Sequence, residues 1–321
     1  MKAAVRRASL FVVMTASTVS ADTYPSKPIT VIVPYAAGGS TDAAMRLVAE
    51  KMKVTLKVPV IIENKPGAGS TVGAATTARA PKDGYTLGVI TQSTAAIAPH
   101  LYEKVDYTLD SFAPISQITR VPLMVMVRKG LPVTTPREFV DYIIANKPAA
   151  YGTPGAGTVP HLLGMEIGRT LKVEFTHVPY RGNAPAVSDL LSGSLDIMLD
   201  ALGPLTLAQH KAGLLRVIGV FGEERLGGFP NIPTFKESGF PSFVGESYTG
   251  IVAPAGTPAT VIKQVNEAVR MALADPDIAK KLLEAGTPAQ SSTPEEFDAR
   301  MRRDYQSYGN VMKAAELPKL Q

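Results

Sequence analysis

The sequence predicts an α/β protein with mostly parallel, buried strands, and three observations carry that expectation. Short β-branched runs alternate with runs of helical period along most of the chain. Prolines stand in or beside the first turns of several helices, behind residues suited to capping them. Two glycine-rich strand-to-helix turns, more than a hundred residues apart, suggest two α/β lobes facing a shared cleft, although 27 glycines also allow a coincidence.

Taken in order, the strand runs include Ile29–Val33, Val58–Ile62, Leu87–Ile90, Leu123–Val127 and Leu215–Val220. The helical runs include Thr41–Lys53, Thr71–Ala80, Pro136–Ala145, His161–Thr170 and Pro185–Ser192. Three more close the chain: Pro258–Ala274, Pro276–Ala285 and Pro294–Ala314. Proline is tolerated at a helix start because the N–H it lacks would have no intrahelical acceptor there. Thr135, Thr257, Asp275 and Thr293 precede four of these prolines as candidate N-caps, and Thr293-Pro294-Glu295-Glu296 reads as a capping box.

Composition removes several function classes. The first 21 residues hold Lys2, Arg6 and Arg7, an apolar run from Ala8 to Ala16, and a small-x-small ending at Val19-Ser20-Ala21. That is the pattern of an export signal cleaved after Ala21; the alternatives are a buried first strand or an uncleaved anchor. The leader takes three of the 33 basic residues and no acidic one, leaving 30 against 28 in the mature chain. A net charge of about +2, with basic residues scattered, gives no case for nucleic acid. There is no cysteine, so thiolate nucleophiles and zinc-thiolate sites are excluded. Four histidines (His100, His161, His177 and His210) form no H-x-x-x-H pair, which argues against a histidine-built metal centre.

The first glycine-rich turn lies in VIVPYAAGGSTDAAMRLVAEKM, Val31 to Met52. It is neither a P-loop, since no Lys follows Gly39, nor a dinucleotide fingerprint, since the third spaced glycine is missing. What remains is a helix start with exposed backbone N–H groups, a general anion site. The second, AYGTPGAGTVPHLLGMEIGRTL from Ala150 to Leu171, has the same strand, turn and amphipathic helix order.

Five segments in this order carry a family resemblance: YPSKPITVIVPYAAGGSTDAAMRLVAEKM, VPVIIENKPGAGSTVGA, APKDGYTLGVIT, HVPYRGNAPAVSDLLSGSLDIMLD and GIVAPAGTPATVIKQVNEAV. Together they closely resemble the Bug (TctC-like) family, extracytoplasmic solute receptors of tripartite tricarboxylate transporters, from about Tyr24 to Leu317. The resemblance implies a two-lobe Venus-flytrap fold of type II, each lobe a mostly parallel sheet flanked by helices. Domain 1 would comprise residues 22–121 plus 244–321, and domain 2 residues 122–243, joined by two crossover strands.

The resemblance also implies where a small carboxylate would be held. The turn after the first strand, Tyr35, Ala36, Ala37, Gly38, Gly39, Ser40 and Thr41, would meet one carboxylate of the guest. Glycine permits close backbone approach, N–H groups at the helix start favour negative charge, and Ser40 and Thr41 add hydroxyls. Asp42 would repel an anion, so it is expected to cap the first helical turn. Thr91, Gln92 and Ser93 would complete the first lobe's rim. From the opposite lobe, Gly155, Ala156, Gly157 and Thr158 would contact the guest, with Tyr180, Arg181 and Gly182 beside a further helix start. For Arg181 a bidentate carboxylate pair and a surface ion pair are both open. Asp200 at the end of an apolar strand would accept hydrogen bonds from a guest or anchor the hinge, whereas Asp196 reads as structural. Ser247 and Tyr248 lie near the expected hinge. Relatives commonly carry Ser-Ser where this chain has Val159-Pro160, and Trp where it has Tyr248; both changes point to a less polar or differently sized pocket.

The expected function is therefore capture of a di- or tricarboxylate, acidic amino acid or aromatic acid in the periplasm by a monomer, with delivery to a membrane permease. No cofactor, metal or catalytic residue is expected. Two other readings are a sensory receptor feeding a signalling partner and a secreted hydrolase working through His161 or His177. The hydrolase reading lacks a Gly-x-Ser-x-Gly elbow.

Overall fold

The computed structural model describes residues 24–314 and 319–320, so the expected leader and its cleavage site lie outside the described residues. The elements run β1 (Ile29–Val33), α1 (Ser40–Leu56), β2 (Val60–Asn64), α2 (Thr71–Ala78) and β3 (Thr86–Thr91). A wide π-type turn over Ser93–Ile97 then leads into the short α3 (Ala98–Leu101). There follow β4 (Phe112–Arg128), α4 (Pro136–Ala145), β5 (Ala149–Thr153), α5 (Val159–Leu171), β6 (Phe175–Pro179) and α6 (Asn183–Ser192). The rest are β7 (Ile197–Ala201), α7 (Pro204–Lys211), β8 (Leu215–Val220), β9 (Glu246–Pro254), α8 (Ala259–Ala274), α9 (Pro276–Glu284) and α10 (Pro294–Ala314).

The strands hydrogen-bond in the order β2-β1-β3-β9-β4-β7-β5-β6, with β8 also on β4. The outer triplets are parallel, β1 between β2 and β3 at one end and β5 between β6 and β7 at the other. Pairing turns antiparallel where β9 joins β3 and β4, and where β4 joins β7 and β8. The antiparallel part follows from the two connecting segments, which cross the middle in opposite directions. One of them, β4, is 17 residues long. Its first half pairs with β9 as far as Pro122↔Glu246, and its second half pairs with β7 from Leu123↔Ala201. Two sheets are thus stitched along one strand.

Each sheet is covered on both faces, which is why its strands read as near-continuous apolar runs. On the first, α1 and α8 pack Met45, Val48, Met52, Val265 and Val269 against β1 and β3. The other face carries α2 and α10, with Phe297 over Tyr248 and Val252. On the second sheet, α4 and α5 bury Phe139, Ile143 and Ile167, while α6 and α7 bury Val187, Leu190 and Leu207. The end of α10 reaches across the junction, since Met312 and Tyr308 join the second sheet's core.

Local chemistry sets most boundaries. Thr135 and Glu138 form a reciprocal capping box at α4, and Thr293 and Glu296 do the same ahead of α10. Asp275 accepts from the N–H groups of Asp277 and Ile278 to cap α9. Thr257 is not a cap as expected: its hydroxyl donates to the Pro254 carbonyl at 2.8 Å, closing the turn before α8.

Phe297 sits directly over Gly250, where an added Cβ would lie 2.0 Å from the ring, and stacks edge-on against Tyr248 at 5.6 Å. Phe297→Ala should therefore leave a cavity costing about 3–5 kcal/mol. A urea titration showing less than 1 kcal/mol would mean that α10 does not hold β9 in place.

Candidate ligand-binding site

A cavity of about 50 Å³ opens where the two sheets meet, against the roughly 10–15 Å³ one water needs on the same measure. It has room for a small guest or a few waters. Its walls come from every direction that the topology supplies. Tyr35, Gly39, Ser40 and Thr41 line it from the turn after β1, and Thr91 and Ser93 from the end of β3. Thr119, Val121, Ser247 and Thr249 come from the crossing strands. The second sheet supplies Leu123, Pro154, Thr158, Pro160, Asn183, Asp200 and Ala201, and Thr287 follows α9.

The two sides are in contact around this space. A Cβ on Gly203 would lie 2.9 Å from the Ser40 nitrogen, and one on Gly182, whose φ is +117°, would lie 3.0 Å from the Ala36 nitrogen. Across the junction the Tyr102 hydroxyl donates to the Ala156 carbonyl at 3.0 Å, and the Val159 N–H donates to Ser93 Oγ at 2.9 Å. These contacts describe a closed cleft.

The first turn divides its labour. Gly38 takes φ +86°, and its N–H donates to Asp42 Oδ2 at 2.9 Å. Asp42 also accepts from Arg46 and from Asn64 Nδ2, and Asn64 ties Tyr35 O into the same knot. Burial alone would raise this carboxyl; the hydrogen bonds from Arg46, Gly38 and Asn64 outweigh it and hold it below the usual range. Asp42 is thus a brace behind the turn and not the expected cap: it accepts from Gly38, ahead of the helix, and α1 has no side-chain cap bond. Gly39, Ser40 and Thr41 line the cavity at the start of α1, whose first amides by position have no intrahelical acceptor. Ala36, Ala37 and Gly38 lie behind them, off the wall.

The second turn differs more from expectation. Its amides are turned inward: Gly155 N–H meets Thr153 Oγ1 at 3.2 Å and Gly157 N–H meets His161 Nδ1 at 3.1 Å. Ala156 presents its carbonyl to Tyr102. Gly155, Ala156 and Gly157 therefore shape the junction without lining the cavity, and only Thr158 reaches it. Val159 packs in the second core, so Pro160 alone of that pair faces the space.

Four other side chains expected at the site point elsewhere. Gln92 Nε2 donates to Asp304 at 3.0 Å. Tyr180 donates to Asp189 at 2.8 Å, and Arg181 is exposed. Tyr248 is 1 % exposed in the core beside Phe297, with the Arg300 guanidinium 5.0 Å from its ring centre. Gly182 is buried against Ala36 and donates to Pro154 O, setting the approach of α6 without lining the space. Asp196 is structural, paired with Arg128 and accepting from Tyr142.

Asp200 lies on the wall at 5 % exposure. Its Oδ2 accepts from Asn183 Nδ2 at 2.7 Å, and Asn183 Oδ1 in turn accepts from the Thr206 hydroxyl at 3.4 Å. Desolvation raises the Asp200 carboxyl to about 7 against the opposing hydrogen bonds from Asn183 and the Ala201 N–H. Burial likewise pushes the Tyr35 phenol up, and its hydroxyl shares a 3.1 Å hydrogen bond with Thr91. Thr119 is wholly buried, yet its hydroxyl has no partner among the described residues. Such an atom on a cavity wall is what a guest or water would satisfy.

Sequence reasoning missed Asn183, Thr119, Val121, Leu123, Pro154, Ala201, Thr249 and Thr287. Asn183 was accessible: it opens the helix directly after Gly182. Thr119, Val121 and Thr249 needed β4 and β9 to be recognised as crossing strands, and Thr287 follows from no local pattern.

His161 and His177 stack at 4.0 Å behind the second turn, and burial lowers them to about 4 and about 3. Their bonds go to Gly157 and Thr153, and neither lines the cavity. Among the described residues no cluster of three or more His, Asp or Glu is placed to hold a metal ion.

The family model for the tripartite tricarboxylate transporter family receptor, TctC, matches residues 44–316. The chain belongs to this family. A UPF0065 protein of Agrobacterium vitis is 35% identical over 306 residues, spanning 92% of this chain and 86% of the relative. Among solved structures, MatC from Rhodopseudomonas palustris with bound malate superposes with a TM-score of 0.83 at 32% identity, covering 90% of this chain and 99% of MatC. A second R. palustris protein, solved with adipate, gives a TM-score of 0.87 at 29% identity, covering 92% and 100%. The chain is thus a TctC-type solute-binding protein with the α/β periplasmic binding protein fold, and among its described residues no helix is long and apolar enough to cross a membrane.

Asp200 yields a stability prediction whose sign is fixed. Between pH 4 and about 7 the folded protein keeps a proton that the unfolded chain has released, so this group's contribution falls as pH rises through that window. Asp200→Asn should be more stable than the parent at pH 8 by roughly 2–4 kcal/mol, with the gap closing toward pH 4. The difference between the two proteins isolates this effect from the histidine pair, which acts in the opposite direction. A gap independent of pH would place an ionised carboxylate at Asp200 throughout.

Proposed function

We propose that this TctC-family protein captures a small carboxylate in the periplasm, in the cavity between its two sheets, and presents the closed form to a tripartite tricarboxylate transporter permease. The leader would be removed after Ala21, and the mature protein would act as a monomer without cofactor or catalysis. Its lobes would be residues 22–121 with 244–321 and residues 122–243, hinged on β4 and on the segment entering β9. The observation that carries this reading is the start of α1: Gly39, Ser40 and Thr41 line the cavity at a helix N-terminus, whose first amides lack intrahelical acceptors and whose dipole favours a negative oxygen. Malate and adipate in the two solved relatives support a guest of this chemical class.

Closure would supply the selectivity. A guest touching α1 on one side and Asn183 on the other stabilises the closed state because it meets both walls only there. A sensory role would use the same closed state, and a deletion strain that still imports the solute would favour it.

A thermal-shift panel of malate, adipate, benzoate and aspartate tests the reading directly. At a hundredfold excess over Kd a true guest adds about 2.7 kcal/mol of stability, and a panel in which no carboxylate moves Tm would count against the proposal. Gly203→Val tests closure. The residue's φ is ordinary, but the new side chain would press on the Ser40 backbone, so carboxylate affinity should fall at least tenfold. Unchanged affinity by calorimetry would show that the closed contacts are dispensable.

A further inference from the structure

The closed cavity poses a charge problem. Among the described residues no Lys, Arg or His lines it, and Asp200 is the one carboxyl on its wall. An anionic guest entering beside an ionised, buried Asp200 would set two negative charges together in a low-dielectric space with no cation to offset them.

The groups facing Asp200 decide how this is resolved. From α6, Asn183 presents its amide nitrogen, because its oxygen is held by Thr206 of α7. From β7 itself, the Ala201 N–H acts on the carboxyl. From β4, Met124 is the apolar register partner of Asp200. From the first lobe, the Tyr35 phenol is the titratable group nearby, and burial keeps it neutral. From α5 come Thr158 and Pro160, and from β9 Ser247 and Thr249. The charged pair nearest in sequence to the α1 turn, Asp42 with Arg46, is closed on itself behind that turn. The surroundings of Asp200 are therefore a few hydrogen-bond donors and the starts of α6 and α7 beside apolar Met124 and Pro160, a setting that disfavours an ammonium group and stabilises a guest's negative oxygen better than it stabilises that oxygen and an ionised Asp200 together.

Resting on the carboxylate-receptor reading above, we infer that Asp200 holds its guest as a neutral carboxylic acid: binding takes up one proton, and the Asp200 hydroxyl donates it to a carboxylate oxygen of the guest. The proton comes from solvent and resides on the Asp200 oxygen that Asn183 does not occupy. No formal charge beyond the guest's own then enters the cavity, and the helix starts face only the charge of the guest. Burial already raises this carboxyl to about 7, and an anion alongside would raise it further. The site thereby selects plain carboxylate anions over α-amino acids, because an ammonium would need the acceptor that the proton removes.

Calorimetry on the full chain, with malate, adipate, benzoate and aspartate as probes, separates this inference from the reading beneath it. Titrations of each probe in phosphate and in Tris at pH 8 give the number of protons exchanged. The expected result is uptake of close to one proton per malate, adipate or benzoate bound, with Kd rising about tenfold per pH unit above 7. Asp200→Asn, whose amide can donate without titrating, should bind the same acid with no proton uptake and a flat pH profile. Binding of an acid without proton uptake in the parent protein would overturn the inference while leaving the receptor function intact. Binding of aspartate alone, again without uptake, would overturn it in favour of a zwitterionic guest. Failure of all four acids to bind would sink the receptor reading and this inference with it.

Discussion

A cavity lined, among the described residues, by no Lys, Arg or His leaves the proposed anionic guest only hydrogen-bond donors and dipoles to meet it, and the groups around the cavity can be read from that constraint. A guest that displaced water there would have to satisfy the polar groups left on the wall, the Thr119 hydroxyl among them. The first amides of α1 are donors that no intrahelical carbonyl can satisfy. Asp42 could have neutralised that advantage, but Gly38, Arg46 and Asn64 hold its carboxylate behind the turn. The second lobe contributes less backbone than a symmetrical arrangement would suggest, because Thr153, His161 and Ser93 engage its amides. Its contribution comes instead from Asn183 and Asp200, bonded to each other across the starts of α6 and the end of β7.

The strands that join the two sheets also line the cavity. Cavity-lining Thr119 and Val121 belong to β4, and Ser247 and Thr249 to β9, so the floor of the site is the seam between the sheets. In the proposed function, a guest that touches the floor and both walls would couple its binding to the angle between the lobes. Behind the floor, Arg120 and Arg300 pair with Glu246, and Arg300 also lies over Tyr248. Partly exposed pairs of this kind contribute little to stability, but they link both crossing strands to α10.

Much of this was legible in the sequence where local chemistry decides the outcome. β1, β8, α4 and α10 begin and end where the β-branched runs, prolines and caps place them. The first glycine turn could be read as a helix-start anion site because glycine and hydroxyl spacing is a local signal. The second misled for a physical reason: its pattern is nearly the same, but whether an amide faces a guest or an internal acceptor depends on Thr153 and His161, whose placement is tertiary. Tyr248 was misassigned because neighbours in a strand face opposite sides, so Ser247 reaches the cavity while Tyr248 enters the core. The extent of β4 was hidden because its first half, with Pro114 and Arg120 among apolar residues, lacks clean alternation. The charge of Arg181 is the stronger local signal, yet Arg181 is exposed, while its neighbour Asn183 is buried on the cavity wall.

The central claim is spatial: a carboxylate is gripped at the start of α1 inside the closed seam. A crystal structure of the protein grown with malate or adipate tests it most directly. The account predicts carboxylate oxygens within hydrogen-bonding distance of the Ser40 and Thr41 amides, with Asn183 and Asp200 facing the same molecule. An acid held instead on the outer surface by Arg181, or lodged in the cleft with those amides untouched, would contradict it.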